Sequence, residues 1–139
     1  MKMTTEILEL LCNTMKLERD RGVGELQRIL PTLSENDRKL FENNLLILIS
    51  DTESSWETKH GCLLGAKALI LFLDLDDEQE AQFVQRIKTV AEKLLTDVEV
   101  RVRLAAGMFS IRSSYCKNTL WKWFRICSRH LCTCYTFIY

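Results

Sequence analysis

The stretch Leu94-Leu95-Thr96-Asp97-Val98-Glu99-Val100-Arg101-Val102-Arg103-Leu104-Ala105-Ala106-Gly107 decides the fold. It reads as the end of one helix, a tight acidic turn, and a second helix that carries Arg101 and Arg103 early and then three small residues in a row. Small side chains in succession let a helix approach its neighbour closely on that side. The second helix is therefore predicted to be stacked against others.

Upstream, the cleanest amphipathic pattern in the chain is Phe83, Val84, Ile87, Val90, Ala91, Leu94 and Leu95. Before it, Ser54-Ser55-Trp56-Glu57 has the spacing of a capping box and opens a helix through Leu69, in which Gly61, Cys62, Gly65, Ala66 and Ala68 run among leucines. Ser34 to Asp37 caps a helix carrying Leu40, Phe41, Leu45, Leu48 and Ile49. The first segment places Ile7, Leu8, Leu11 and Met15 on one stripe behind a Thr4 or Thr5 cap, followed by a charged turn from Lys16 to Arg21. A short helix from Gly22 to Leu30 then ends at Pro31, with Gly22 and Gly24 read as marks of an end unit, a close backbone approach being the alternative. Six helices in three hairpins are predicted, and with one Pro and five Gly among 139 residues the class is all-α.

Setting Trp56 to Lys59 on Val100 to Arg103 gives a period of 44, with Gly61-Cys62 on Ala105-Ala106. Setting Arg21 on Lys59 gives 38. Leu-Leu, Asp, Val-Arg and Ala-Ala in the order found from Leu94 to Ala106 resemble the inter-helix turn of HEAT repeats in the wider armadillo-like family. The resemblance covers about residues 4–107 and implies an α-solenoid of stacked antiparallel helical hairpins. It further implies a ladder of turn Asp and early basic residue running along the stack, with Asp97 beside Arg103 and Asp51 beside Lys59. A binding role for Arg101, Arg103 or Lys59 is the rival reading.

The net charge of zero hides two unlike parts. Residues 1–107 hold 14 Lys and Arg against 19 Asp and Glu, whereas residues 108–139 hold five Lys and Arg and no acid. Four of six Cys, two of three Trp and all three Tyr fall in the second part. The expected division is helical repeats over 1–107 and a divergent basic, Cys- and aromatic-rich tail over 108–139, as in a shortened, alternatively spliced form of a longer repeat protein. Without a signal-peptide pattern the six cysteines are expected to be reduced thiols in a cytoplasmic protein, with the nucleus as the alternative. The apolar segments are too short or too charged to span a bilayer.

Chemistry is scarce. There is no Gly-rich phosphate loop, zinc-protease helix or nucleophile elbow. His60, Cys12 and Cys62 read as packing residues. Cys116, Cys127, His130, Cys132 and Cys134 offer zinc donors, but with single-residue gaps that strain a tetrahedral centre. No catalytic, cofactor-binding or metal residue is assigned, and no cofactor is expected. The leading expectation is a non-catalytic scaffold or adaptor for an unidentified protein partner. The alternative is a nucleic-acid- or membrane-associated module acting through Trp121, Lys122, Trp123, Phe124 and Arg125 of the tail. A third reading is enzymatic: a few armadillo-like solenoids resemble DNA glycosylases, for which Asp51 and Trp56 are the one nearby pair. Self-association through an uncapped end is expected if Val90, Leu94 and Leu104 are left partly uncovered.

Overall fold

A computed structural model describes the backbone of residues 2–115 and the side chains of residues 2–110. These residues form six α-helices and no strand: α1 (Lys2–Leu11), α2 (Lys16–Ile29), α3 (Glu35–Ser50), α4 (Trp56–Ile70), α5 (Glu78–Leu94) and α6 (Val100–Tyr115). A short 3-10 helix at Leu30–Thr32 carries Pro31 after α2. The class is all-α, as the sequence predicts. None of the described helices is long and apolar enough to cross a membrane.

Helix starts follow local capping chemistry. Ser34 accepts from Asp37 N at the head of α3, Ser55 from Thr58 N at the head of α4, and Asp77 from Gln79 N and Glu80 N at the head of α5. Each bond satisfies amide donors that the first helical turn cannot pair internally. The Ser at the head of α4 is thus Ser55, one residue beyond the capping box read from Ser54.

The first hairpin departs most from expectation. α1 begins at Lys2, so Thr4 lies inside it and is buried, while Met15 belongs to the turn and is exposed. The expected charged turn from Lys16 to Arg21 is helical, because Asn13 Oδ1 accepts from Met15 N at 2.8 Å and closes the turn earlier. Gly22 marks a close approach, the alternative reading of the two. A Cβ there would lie 2.9 Å from Leu10 Cβ, whereas at Gly24 it would meet nothing within 4 Å.

Within each hairpin the two helices touch, α2 touches α4, α4 touches α6, and on the other side α1 touches α3 and α3 touches α5. α4 is the hub. It contacts all five other helices, and eight of its residues are buried, Gly61, Cys62, Gly65, Ala66 and Ala68 among them. Leu11, at the end of α1, is fully buried against this small-residue surface. The amphipathic reading of α5 holds for Phe83, Val84, Ile87, Ala91 and Leu94, all buried. Leu94 is covered, contrary to the exposed end expected, while Val90 and Leu104 are half-buried. The boundary expected after Gly107 falls inside α6, in which Phe109 and Ser110 are buried.

A buried polar group joins α3 to α5. Arg38 Nη2 donates to Glu80 Oε1, Asp74 N donates to Glu80 Oε2, and the guanidinium lies 5.7 Å from the Phe72 ring centroid. Glu42 lies beside them with Oε1 3.6 Å from Arg38 Nε, too long for a hydrogen bond, and both atoms lack a hydrogen-bond partner. Burial pushes the Glu42 carboxyl up to about 7, with Glu80 adding to the effect and Arg38 opposing it. The unfolded chain ionises Glu42 near the ordinary 4.5, so between there and about 7 the native state binds more protons. Stability should therefore fall as pH rises through that window and level off above it. Glu42→Gln is expected to flatten this slope and to stabilise the protein by about 3 kcal/mol at pH 8 relative to its effect at pH 4. Thermal melts of both proteins across the window check this; an unchanged slope would contradict it.

Candidate functional site

The first turns of α2, α4 and α6 lie side by side and gather the basic and aromatic residues. The helices start at Lys16, Trp56 and Val100, spaced 40 and 44 apart, so their fourth residues are Arg19, Lys59 and Arg103. The starts of α4 and α6 keep the 44-residue spacing. For the first unit the structure replaces Arg21 with Arg19 and 38 with 40; Arg21 instead pairs on the surface with Glu18 at 3.2 Å.

Arg19 and Arg103 do the same work. Arg19 Nη1 donates to Asn13 O and Thr14 O, both at 2.9 Å, six and five residues back. Arg103 Nη1 donates to Asp97 O at 2.7 Å and Val98 O at 3.2 Å, again six and five back. In each turn the first of these residues also holds the amide two positions on through its side chain: Asn13 holds Met15 N at 2.8 Å and Asp97 holds Glu99 N at 2.9 Å. An arginine here neutralises carbonyl oxygens that the turn leaves unpaired.

The middle unit differs. Its turn is two residues longer between Asp51 and Trp56 than between Asp97 and Val100, and Asp51 Oδ1 accepts from Glu53 N in its own turn. Lys59 instead reaches forward to Asp97 Oδ2 at 3.5 Å, in the next hairpin. The expected pairs of Asp97 with Arg103 and Asp51 with Lys59 are thus not the ion pairs formed: Arg103 takes the Asp97 carbonyl, which leaves the Asp97 carboxylate to Lys59. Both charges are largely buried, with side-chain exposures of 17% and 11%, so solvent screens this pair less than a surface bridge.

Trp56 stands at the centre. The Arg19 guanidinium lies 5.1 Å and that of Arg101 4.0 Å from its ring centroid, one from α2 and the other from α6, and His60 meets it edge-on at 6.3 Å. A guanidinium over an indole face gains roughly 0.5–1 kcal/mol when exposed and about 2 when desolvated. Arg101 Nε donates to Glu99 Oε1 at 2.8 Å and, through Trp56, also ties α6 to α4. His60 Nδ1 accepts from Arg19 Nε at 3.2 Å. Burial and the neighbouring Arg19 charge both lower the His60 pKa, which keeps that nitrogen free to accept.

Around this cluster Met15, Leu17, Val98 and Val100 are exposed at the heads of α2 and α6, Val98 at 98%. The catalytic pairing of Asp51 with Trp56 gains no support from the geometry, since the carboxylate is engaged in its turn and the indole is in contact with two guanidinium groups. Among the described residues no group of three or more His, Cys, Asp or Glu is placed to hold a metal ion. Cys116, Cys127, His130, Cys132 and Cys134, and the run from Trp121 to Arg125, lie outside the described residues. Sequence reasoning missed Arg19, although its six-residue distance from Asn13 equals that of Arg103 from Asp97. No family model, curated protein or solved structure matches the chain.

Proposed function

We propose that the chain is a non-catalytic adaptor, an α-solenoid of three stacked antiparallel hairpins of HEAT or armadillo type, which offers the edge formed by the first turns of α2, α4 and α6 to a protein partner. The observation that carries this reading is the repetition of the arginine-held turn in the first and third hairpins, by matching atoms at matching separations. Stacked hairpins of this kind present long edges, and binding follows from surface shape and anchor residues without a reaction centre. Tryptophan and arginine are the residue types that most often dominate protein interfaces, and here both sit beside exposed Val98, Val100 and Leu17.

Photo-crosslinking side chains placed at Leu17 and Val98, with Ile47 on α3 as the control, test the reading in cells. A discrete protein partner should be captured from the first two positions and not from the third. Arg101→Glu should weaken that capture about tenfold, a loss of roughly 1.4 kcal/mol. Equal capture from Ile47, or capture indifferent to Arg101→Glu, would reject the edge as the binding surface.

A further inference from the structure

Two cysteines that the adaptor reading does not use meet at the junction of the first two hairpins. Cys12 follows the last residue of α1, its amide still bonded to Leu8 O at 3.1 Å, and its side chain is half-exposed. Cys62 is the seventh residue of α4 and fully buried. The residues just before them bring the two backbones together: a Cβ on Gly61 would fall 1.6 Å from Leu11 O, so α4 lies directly on the chain leading into Cys12. Across this contact the two thiols are neighbours close enough to bear on each other's acidity, and Thr58 bears on that of Cys12.

We infer that Cys12 and Cys62 form a redox pair, in which a hydroperoxide oxidises Cys12 and Cys62 resolves it, closing a disulfide between the end of α1 and the middle of α4. The roles follow from access and from charge. Cys12 faces solvent on one side, while Cys62 is closed off from any dissolved oxidant. The neighbouring Cys62 thiol, opposed by burial and helped by Thr58, brings the Cys12 thiol down to about 7, so much of it is thiolate at neutral pH. The neighbouring Cys12, together with burial, pushes Cys62 up, which keeps it a protonated donor until it is needed.

In the first step Cys12, having given its proton to solvent, attacks one peroxide oxygen through Sγ. The O–O bond breaks, an S–O bond forms, and the departing hydroxide takes up a proton as water. In the second step Cys62 Sγ attacks the Cys12 sulfenic sulfur, the S–O bond breaks, and the Cys62 proton leaves with the hydroxyl as a second water. Two thiols lose two electrons in all, and the peroxide gains them.

The test uses the full chain, treated with hydrogen peroxide, alkylated and digested with trypsin. Cleavage after Lys2, Lys16, Lys59 and Lys67 places the two cysteines in separate peptides, 3–16 and 60–67. The expected product is these two peptides joined by a bond that dithiothreitol reverses. Cys62→Ser should leave Cys12 as a sulfenic acid that dimedone traps, and Cys12→Ser should leave Cys62 unoxidised, with circular dichroism confirming that both variants fold. The inference is overturned if Cys12 pairs mainly with one of the other four cysteines. It is also overturned if Cys62 is oxidised in Cys12→Ser, or if both remain alkylatable under peroxide that oxidises the remaining thiols.

Discussion

Gly61→Ala is expected to be the most damaging conservative change in the chain, lowering stability by about 3 kcal/mol or more. A methyl group there would lie 1.6 Å from Leu11 O, 2.6 Å from its carbonyl carbon and 3.2 Å from its Cα. These are backbone atoms, so no rotamer change relieves the overlap, and the end of α1 must move off α4. It cannot move alone. The Leu11 side chain lies 2.9 Å from where a Gly65 Cβ would be and 3.3 Å from the same point on Gly22, so displacing it opens the contact with α2 as well. Overpacking a well-filled core commonly costs about 1–3 kcal/mol when side chains can adjust, and a backbone clash at this centre lies beyond that range. Gly24→Ala is the control. Its Cβ would meet nothing within 4 Å, in the interior of α2, and a gain of about 0.5–1 kcal/mol is expected from helix propensity. Urea titrations of the two variants should move the midpoint in opposite directions; equal stability for Gly61→Ala would mean that α1 does not rest on α4 as described.

Arg19→Ala should come second, at about 3 kcal/mol. Arg19 is 1% exposed, and its removal strands the Asn13 and Thr14 carbonyls, takes the donor from His60 Nδ1 and uncovers one contact of Trp56. Charged hydrogen bonds contribute about 1.5–3 kcal/mol each when both partners are buried, less when water can replace the lost donor. Arg103 holds the equivalent carbonyls from a more open position, so Arg103→Ala should cost about 1–2 kcal/mol. Arg101 is more than half exposed, and its contacts with Glu99 and Trp56 together should be worth about 1 kcal/mol or less. The order Arg19, Arg103, Arg101 is read from denaturation midpoints. A larger loss for Arg101→Ala than for Arg103→Ala would remove the arginine-held turn as the repeated element, and with it the basis for the repeat reading.

The helices were legible wherever a cap or an amphipathic stripe was strong, as at Ser34 and along Phe83 to Leu94. The first hairpin was not, for two physical reasons. Met15 extends the apolar spacing of α1 although the Asn13 side chain has already ended it, and glycine reads equally as a weak helix former or as room for a neighbour. Only the distance to Leu10 and Leu11 decides between these at Gly22. The site was half visible. Asp97 and Arg103 stand in the sequence as candidates for one ladder, but which oxygen an arginine takes depends on turn length, and the longer turn at Asp51 redirects Lys59 to the next hairpin. The gathering around Trp56 joins residues from three helices and leaves no local pattern to read.

The arginine-held turn also bears on how this chain can diverge. Because Arg19 and Arg103 recognise carbonyl oxygens, the clamp itself places no demand on the side chains at Thr14 or Val98. What must be preserved is an interval, six residues from turn to arginine, together with a residue such as Asn13 or Asp97 that shapes the turn. An insertion of two residues there would therefore be a larger mutation than several substitutions; in the middle hairpin, where the turn is two residues longer, the lysine is bound elsewhere.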